Sequence, residues 1–204
     1  MRIGIIGTGY LGVTLAELWA RAGHQVLVAT ADAETSSELL EQLSEARVEL
    51  LPSDEAAREA EVVVLTAPFG TTEALPSPLT VLGKVVIDAM NAGPEDDSGA
   101  SSTELIAERY PQARVVKALN TLPPELLRVE GRRSAPKEQR LAVVLSGDDA
   151  RAKARASTLI EEIGFTPVDA GSLAHGGELQ QPGSEIFGKP MLPAEARVAL
   201  SLSR

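Results

Sequence analysis

The sequence predicts an α/β fold in which helices cover both faces of a doubly wound, parallel sheet. Two observations support this prediction. Short runs of β-branched residues alternate with amphipathic helical segments through most of the chain. The first run, Arg2–Ile6, also leads directly through a glycine-rich turn into a helical segment. Because successive parallel strands need a crossover helix between them, this alternation is typical of a doubly wound sheet.

The first part of the chain divides regularly into strands and helices. Strands are predicted at residues 2–6, 25–29, 48–51, 61–67, 84–90 and 114–119. Helices are predicted from the glycine turn to Gly23, at 33–46, from an N-cap Ser53, and at 102–110. Gly23 suits the left-handed cap that ends many helices, and Pro68 ends the most apolar strand.

Beyond residue 120 the sequence pattern changes, because prolines and a charged loop interrupt the regular alternation of strands and helices. Strands are predicted at 141–146 and 166–170, and helices at 149–163 and 194–202. Segment 171–193 is rich in Gly and Pro with little periodicity, which predicts a functional loop or lid. We expect a first domain at 1–120 and a smaller α/β C-terminal lobe at 121–204 that extends the same sheet and completes a cleft.

The composition excludes several classes of function. The chain has 204 residues, no cysteine and a formal net charge of −10, so nucleic acid and membrane surfaces are not expected partners. Lack of cysteine excludes disulfides and thiolate metal sites and suits a reducing cytosol, so we expect a cytoplasmic protein.

The glycines and Glu17 in the apolar opening argue against a signal peptide. Aromatic residues are only 3% of the chain, which predicts an aliphatic core. A homodimer is an open alternative to a monomer.

The strongest motif is the pattern G-x-G-x-x-G between the first predicted strand and helix. It consists of Gly7, Thr8, Gly9, Tyr10, Leu11 and Gly12. The first glycine permits a sharp turn, the second lets the backbone approach a diphosphate, and the third lets the helix pack on the strand. The helix N-terminus then stabilises the negative charge. In this position the pattern predicts a Rossmann-type domain that binds NADP or NAD.

The residue that ends the second strand usually decides between these two dinucleotides. A carboxylate there binds the ribose diol of NAD, whereas this chain has Thr30 followed by Ala31. Their side chains leave room for the 2′-phosphate of NADP, but no arginine follows and Asp32 lies close. NADP is therefore favoured, and NAD stays an alternative.

Further candidate contacts follow the other strands, because ligands bind beyond the carboxyl ends of the strands in an open parallel sheet. The candidates are Thr66, Ala67, Pro68 and Phe69 after the fourth strand, Asn91 after the fifth, and Ala118 and Asn120 at the sixth. No residue stands out as a catalytic acid or base, and no metal-ligand pattern is seen. His24 is expected to cap a helix–strand turn, and His175 to be solvated.

Five segments considered together carry a family resemblance: residues 3–12, 66–69, 116–121, 146–149 and 164–171. They resemble the NADPH-dependent reductases of the deazaflavin coenzyme F-420. The first segment is shared with many dehydrogenases, whereas the ordered set of the later four is more specific. The resemblance implies reversible hydride transfer between the nicotinamide C4 and the deazaflavin C5, in a cleft between the two lobes.

By matching position, the resemblance places three parts of the cofactor site on this chain. The diphosphate loop falls on residues 8–11 and the 2′-phosphate segment on Thr30 and Ala31. The nicotinamide contacts fall on Ala67, Phe69, Asn91 and Ala118. The family commonly has a basic pair after the second strand, and this chain has none there.

Two other functions stay open. One is an NAD(P)H-dependent reductase of a flavin or another small substrate. The other is a regulatory or sensor module that binds NAD(P) without turnover. Pyrroline-carboxylate and hydroxy-acid dehydrogenases share the opening motif, but they append a long all-helical domain where this chain returns to strands.

Overall fold

The computed structural model describes residues 1–29, 48–68, 70–91, 102–131 and 134–202. Its strands are β1 (Arg2–Ile6), β2 (Gln25–Ala29), β3 (Val48–Leu51), β4 (Val62–Leu65), β5 (Val85–Asp88), β6 (Arg114–Ala118), β7 (Ala142–Gly147) and β8 (Thr166–Asp169). They form one eight-stranded sheet in the order β3-β2-β1-β4-β5-β6-β7-β8. The first six strands therefore have the doubly wound order of a Rossmann-type domain, as predicted.

The helices of the described residues alternate with these strands. They are α1 (Tyr10–Arg21), α2 (Ser53–Glu59), α3 (Ser102–Arg109), α4 (Pro124–Glu130), α5 (Ala150–Glu162), α6 (Leu173–Leu179) and α7 (Pro193–Leu202). Short 3₁₀ turns occur at Thr72–Ala74, Pro78–Val81 and Lys137–Gln139. The helix predicted at 33–46 lies outside the described residues. The other predicted strands and helices are confirmed, with ends that shift by one to a few residues.

The sheet is parallel except at one pair of strands. Strands β1 to β6 pair in parallel, as does β8 with β7, but β7 runs antiparallel to β6. The short helix between these two strands, α4, packs on α1. It therefore does not form the longer crossover that a parallel neighbour of β6 would need. The second part of the chain extends the first sheet, as expected.

The sheet divides the core between its two faces. One cluster contains Ile3 and Ile5 of β1 and packs beneath α1 and α5. A second cluster contains Leu27 and Val63 and packs beneath α2 and α3, and a third, smaller cluster joins β7 and β8 to α7. Most core residues are aliphatic as predicted, although Trp19 is also fully buried. Its indole N–H donates to the carbonyl oxygen of Leu159 over 3.0 Å, which ties α1 to α5.

Segment 171–193 is the main correction to the predicted elements. Instead of an irregular loop or lid throughout, it contains α6, whose N-cap is Ser172. One of its glycines, Gly176, allows close packing, because a Cβ there would lie 2.5 Å from the Cβ of Ser146 on β7. Glycine at this position therefore reflects a tertiary contact, which the local sequence pattern cannot reveal.

Two smaller corrections concern helix ends. Ser53 is not the N-cap of α2, because Pro52 holds that position and the Ser53 hydroxyl donates to the carbonyl oxygen of Ala74 over 2.9 Å. His24 does not cap a turn through its side chain; the ring is buried, with Nε2 2.9 Å from Oε2 of Glu162. His175 is exposed, as expected. Among the helices that the structure describes, none is long and apolar enough to cross a membrane.

Candidate functional site

The glycine turn after β1 is tightly packed at both of its ends. Gly7 has a left-handed φ of +125°, and a Cβ there would lie 2.6 Å from the backbone nitrogen of Ala67. A Cβ at Gly12, in the first turn of α1, would overlap the carbonyl oxygen of Gly7. Strand, turn and helix therefore approach each other too closely for any larger residue at either position. These are the roles predicted for the first and third glycines.

The middle glycine of the turn has a different environment. Gly9 is the N-cap of α1, with φ −66° and ψ 173°, a conformation that any residue adopts. A Cβ at Gly9 would meet no protein atom within 4 Å, so packing does not require glycine there. No side chain caps the first N–H groups of α1. An exposed helix N-terminus without a side-chain cap leaves amide donors free for an anion.

The other residues of the turn lie at the surface. Thr8 and Leu11 are partly exposed, and the Tyr10 side chain is 46% exposed. A hydrogen bond to Tyr10, followed by the negative charge of Glu17, raises the pKa of Arg128 on α4. The Tyr10 side chain thus forms a hydrogen bond with a residue of α4. The backbone N–H of Tyr10 lies at the start of α1.

Thr66 connects the glycine turn to the neighbouring strand. It follows β4, and its hydroxyl lies 3.2 Å from the carbonyl oxygen of Ile6 and 3.1 Å from that of Gly7. A hydroxyl donates one hydrogen, so the two carbonyls share it. Ala67 is buried and Pro68 is exposed. Thr66, predicted as a ligand contact, therefore also holds the turn in place.

The ends of β5 and β6 are joined by two asparagines. Asn120 Nδ2 donates to Oδ1 of Asn91 and to the carbonyl oxygen of Gln180, each over 2.8 Å. Leu119, just before Asn120, has φ +67°, which is rare for a residue with a side chain. Such backbone strain is commonly found at binding sites.

The structure brings most of the predicted residues together along one edge of the sheet. The glycine turn, Thr66, Asn91 and Asn120 follow the carboxyl ends of β1, β4, β5 and β6. Ala118 belongs to β6 but has no exposed surface, so it supports this edge from the core and does not line it. Thr30, Ala31 and Phe69 lie outside the described residues.

Sequence reasoning missed a buried ion pair beneath this edge. Lys117 Nζ lies 3.0 Å from Oδ2 of Asp88, and neither side chain is exposed. The two residues are register partners on β6 and β5. A lysine inside an apolar strand was the available signal, but its partner becomes apparent only when the strand order is known.

The site offers no metal centre among the residues that the structure describes, since no group of three or more His, Asp or Glu side chains is placed to hold an ion.

The strand order and the glycine turn define a dinucleotide-binding α/β protein. Residues 2–92 match the family described as "NADP oxidoreductase coenzyme F420-dependent". This match covers slightly less than half of the chain and relates its glycine-turn half to a family of NADP-dependent oxidoreductases.

Two solved structures are similar over nearly the whole chain. A hypothetical protein from Sinorhizobium meliloti is 30% identical, with a TM-score of 0.79 over 94% of this chain and 95% of its own. A protein from Arthrobacter sp. FB24, provisionally assigned as an F420-dependent NADP reductase, is 28% identical, with a TM-score of 0.76 over 94% of this chain and 99% of its own.

Among curated proteins, the metalloreductase STEAP3 of Rattus norvegicus is 27% identical over 184 residues. The match covers 88% of this chain and 36% of that relative. The chain therefore spans about a third of the length of the curated relatives that it matches.

Proposed function

We propose that the chain transfers a hydride between NADP(H) and a deazaflavin, coenzyme F-420, or a similar flat redox acceptor. The observation that carries this proposal is the open space at Gly9. The first and third glycines are explained by packing, whereas the second faces no protein atom within 4 Å. A ligand that needs close approach to the backbone at the N-terminus of α1 accounts for it, and a diphosphate has the required charge.

We assign an NADP molecule to the same edge. The N–H groups of the glycine turn would hold the diphosphate, and the sequence resemblance assigns the 2′-phosphate to Thr30 and Ala31, which lie outside the described residues. Among the described residues, Asn120 Oδ1 is buried and accepts no hydrogen bond. This acceptor suits the amide N–H of a nicotinamide bound beyond β5 and β6.

The nicotinamide, when bound, supplies the hydride itself. The contribution of the protein is then to bind and orient two flat rings and to exclude water, so no acid–base pair is required. A deazaflavin as the second ring is supported by the family description and by the assignment of the Arthrobacter relative. The similarity to a metalloreductase supports testing metal reduction as well.

The proposal is tested with the purified protein, NADPH or NADH, and a panel of acceptors: F-420, FMN, FAD and a ferric chelate. Oxidation of the nicotinamide is followed by its absorbance. We expect the highest rate with NADPH and F-420. Turnover with only a flavin, or with only ferric iron, would show that F-420 is not the acceptor and would identify the other compound as the acceptor. NADPH binding without turnover on any acceptor would indicate the sensor function.

A further inference from the structure

The Lys117–Asp88 pair is unusual in its burial. Both side chains are completely buried, and the strand residues that precede each of them are apolar, apart from the exposed Arg114 at the start of β6. Lysine and aspartate are almost never fully buried unless they are paired, because removal from water strongly disfavours their charged forms. An apolar pair of similar volume commonly gives equal or greater stability. The ion pair is therefore expected to provide something other than stability.

All three donors of the Lys117 ammonium group are used. Nζ donates to Asp88 Oδ2 over 3.0 Å, to Ser102 Oγ over 3.0 Å, and to the carbonyl oxygen of Met90. Asp88 Oδ2 also accepts from Thr103 Oγ1 over 2.9 Å. The pair thus connects β5, β6 and the start of α3 by hydrogen bonds.

The ion pair also fixes the backbone of Met90. Its N–H donates to Asp88 Oδ1 over 3.0 Å, and its carbonyl oxygen accepts from Lys117. Both polar groups of Met90 are thereby fixed by the ion pair. The next residue is Asn91, whose Oδ1 accepts from Asn120 at the edge of the sheet. Apolar side chains could fill the same volume, but they could not hold these two backbone groups.

We propose that Lys117 is a positioning residue. Together with Asp88 it fixes the Met90 backbone and so positions Asn91, whose hydrogen bonds to Asn120 hold the unpaired Oδ1 of Asn120 toward the nicotinamide half of the bound cofactor. This inference rests on the proposed function, because it assumes that NADP binds along this edge. The inference predicts different effects on the two halves of the cofactor, because in the proposed site the glycine turn holds the diphosphate independently of Met90.

The test compares two ligands in a double variant. Lys117→Met alone leaves the Asp88 charge buried without its partner, which strongly destabilises a fold. The double variant Asp88→Asn with Lys117→Met removes both charges and is expected to fold, but it lacks the donor to Met90. The ligands are NADPH and 2′-phospho-ADP-ribose, which has the diphosphate but no nicotinamide.

The matched control is Lys84→Met. Lys84 Nζ also donates to three backbone carbonyl oxygens, those of Ala57, Arg58 and Ala60, over 2.6–2.8 Å. It immediately precedes β5, whereas Asn91 follows that strand. The control therefore loses a lysine with a similar role at the opposite end of β5.

In the double variant we expect the Kd for NADPH to rise up to about tenfold, the effect of losing one hydrogen bond between the asparagine pair and the nicotinamide amide. The Kd for 2′-phospho-ADP-ribose should stay unchanged, and Lys84→Met should change neither. Equal Kd values for NADPH in wild type and double variant would overturn the inference, as would an equal rise for both ligands. If the wild type binds neither ligand, the proposed function itself fails, and the inference with it.

Discussion

The hydroxyl of Thr66 lies 3.1 Å from the carbonyl oxygen of Gly7, so the end of β4 is tied to the turn that follows β1. These strands are neighbours in the sheet, and the chain leaves β1 for α1 on one face and β4 for the 3₁₀ turn Pro78–Val81 on the other. The bond crosses the point where the strand order reverses, which is where open α/β sheets bind ligands. The glycine turn is therefore held in place by the neighbouring strand.

Thr66→Val tests this support, because valine keeps the shape of the side chain and removes only the hydroxyl. We expect the free energy of unfolding to fall by about 1 kcal/mol, the net value of one hydrogen bond. We also expect weaker NADPH binding, since the turn is less well fixed. Urea unfolding and a binding titration measure the two effects.

Thr80→Val is the matched control for that variant. The Thr80 hydroxyl donates to the carbonyl oxygen of Ser77 over 2.7 Å and is similarly shielded from solvent, but it lies outside the glycine turn. It should lose similar stability with no change in binding. Unaltered NADPH affinity in Thr66→Val would show that the turn does not need this hydrogen bond.

Gly12→Ala should damage the fold itself. The added Cβ would overlap the carbonyl oxygen of Gly7, and that backbone cannot move without shifting β1. Overpacking of this kind costs about 1–3 kcal/mol. Gly177→Ala is the control, because its Cβ would be 3.8 Å from the nearest atom of Thr103, an ordinary contact. If thermal unfolding found Gly12→Ala as stable as Gly177→Ala, the packing role of Gly12 would be wrong.

Alkaline pH should weaken the contribution of Tyr110. Burial raises the pKa of its hydroxyl, which donates to the carbonyl oxygen of Pro76 over 2.9 Å. Above pH 10 the unfolded chain loses this proton while the folded protein still holds it. The stabilisation is thus fully present below pH 10 and is lost as the pH rises through the folded pKa.

The measurement is the difference in unfolding free energy between wild type and Tyr110→Phe, at neutral pH and above pH 10. We expect this difference to shrink at the higher pH. Since the chain has only two tyrosines, a Tyr10→Phe protein also allows the ionisation of Tyr110 to be followed alone by absorbance. A constant difference, together with ionisation at the usual tyrosine pKa, would contradict the effect of burial.

The sequence was sufficient to predict the elements whose signals are local. The β-branched run Arg2–Ile6 and the adjoining glycines are local signals for a strand and a turn. The Rossmann-type half of the chain was therefore predictable. The role of Gly176 was not, because its closeness to Ser146 depends on how α6 packs on β7. For the same reason the partner of Lys117 could not be found before the register of β5 and β6 was known.

The most direct test of the cofactor site is calorimetric titration of Gly9→Val with NADPH and NADH, beside the wild type. Space around Gly9 lets the variant fold, with a loss of at most about 1 kcal/mol for a poorer helix N-cap. The valine side chain would occupy the place of the diphosphate, so the account predicts a folded protein that binds neither dinucleotide. Retained affinity in the folded variant would contradict it.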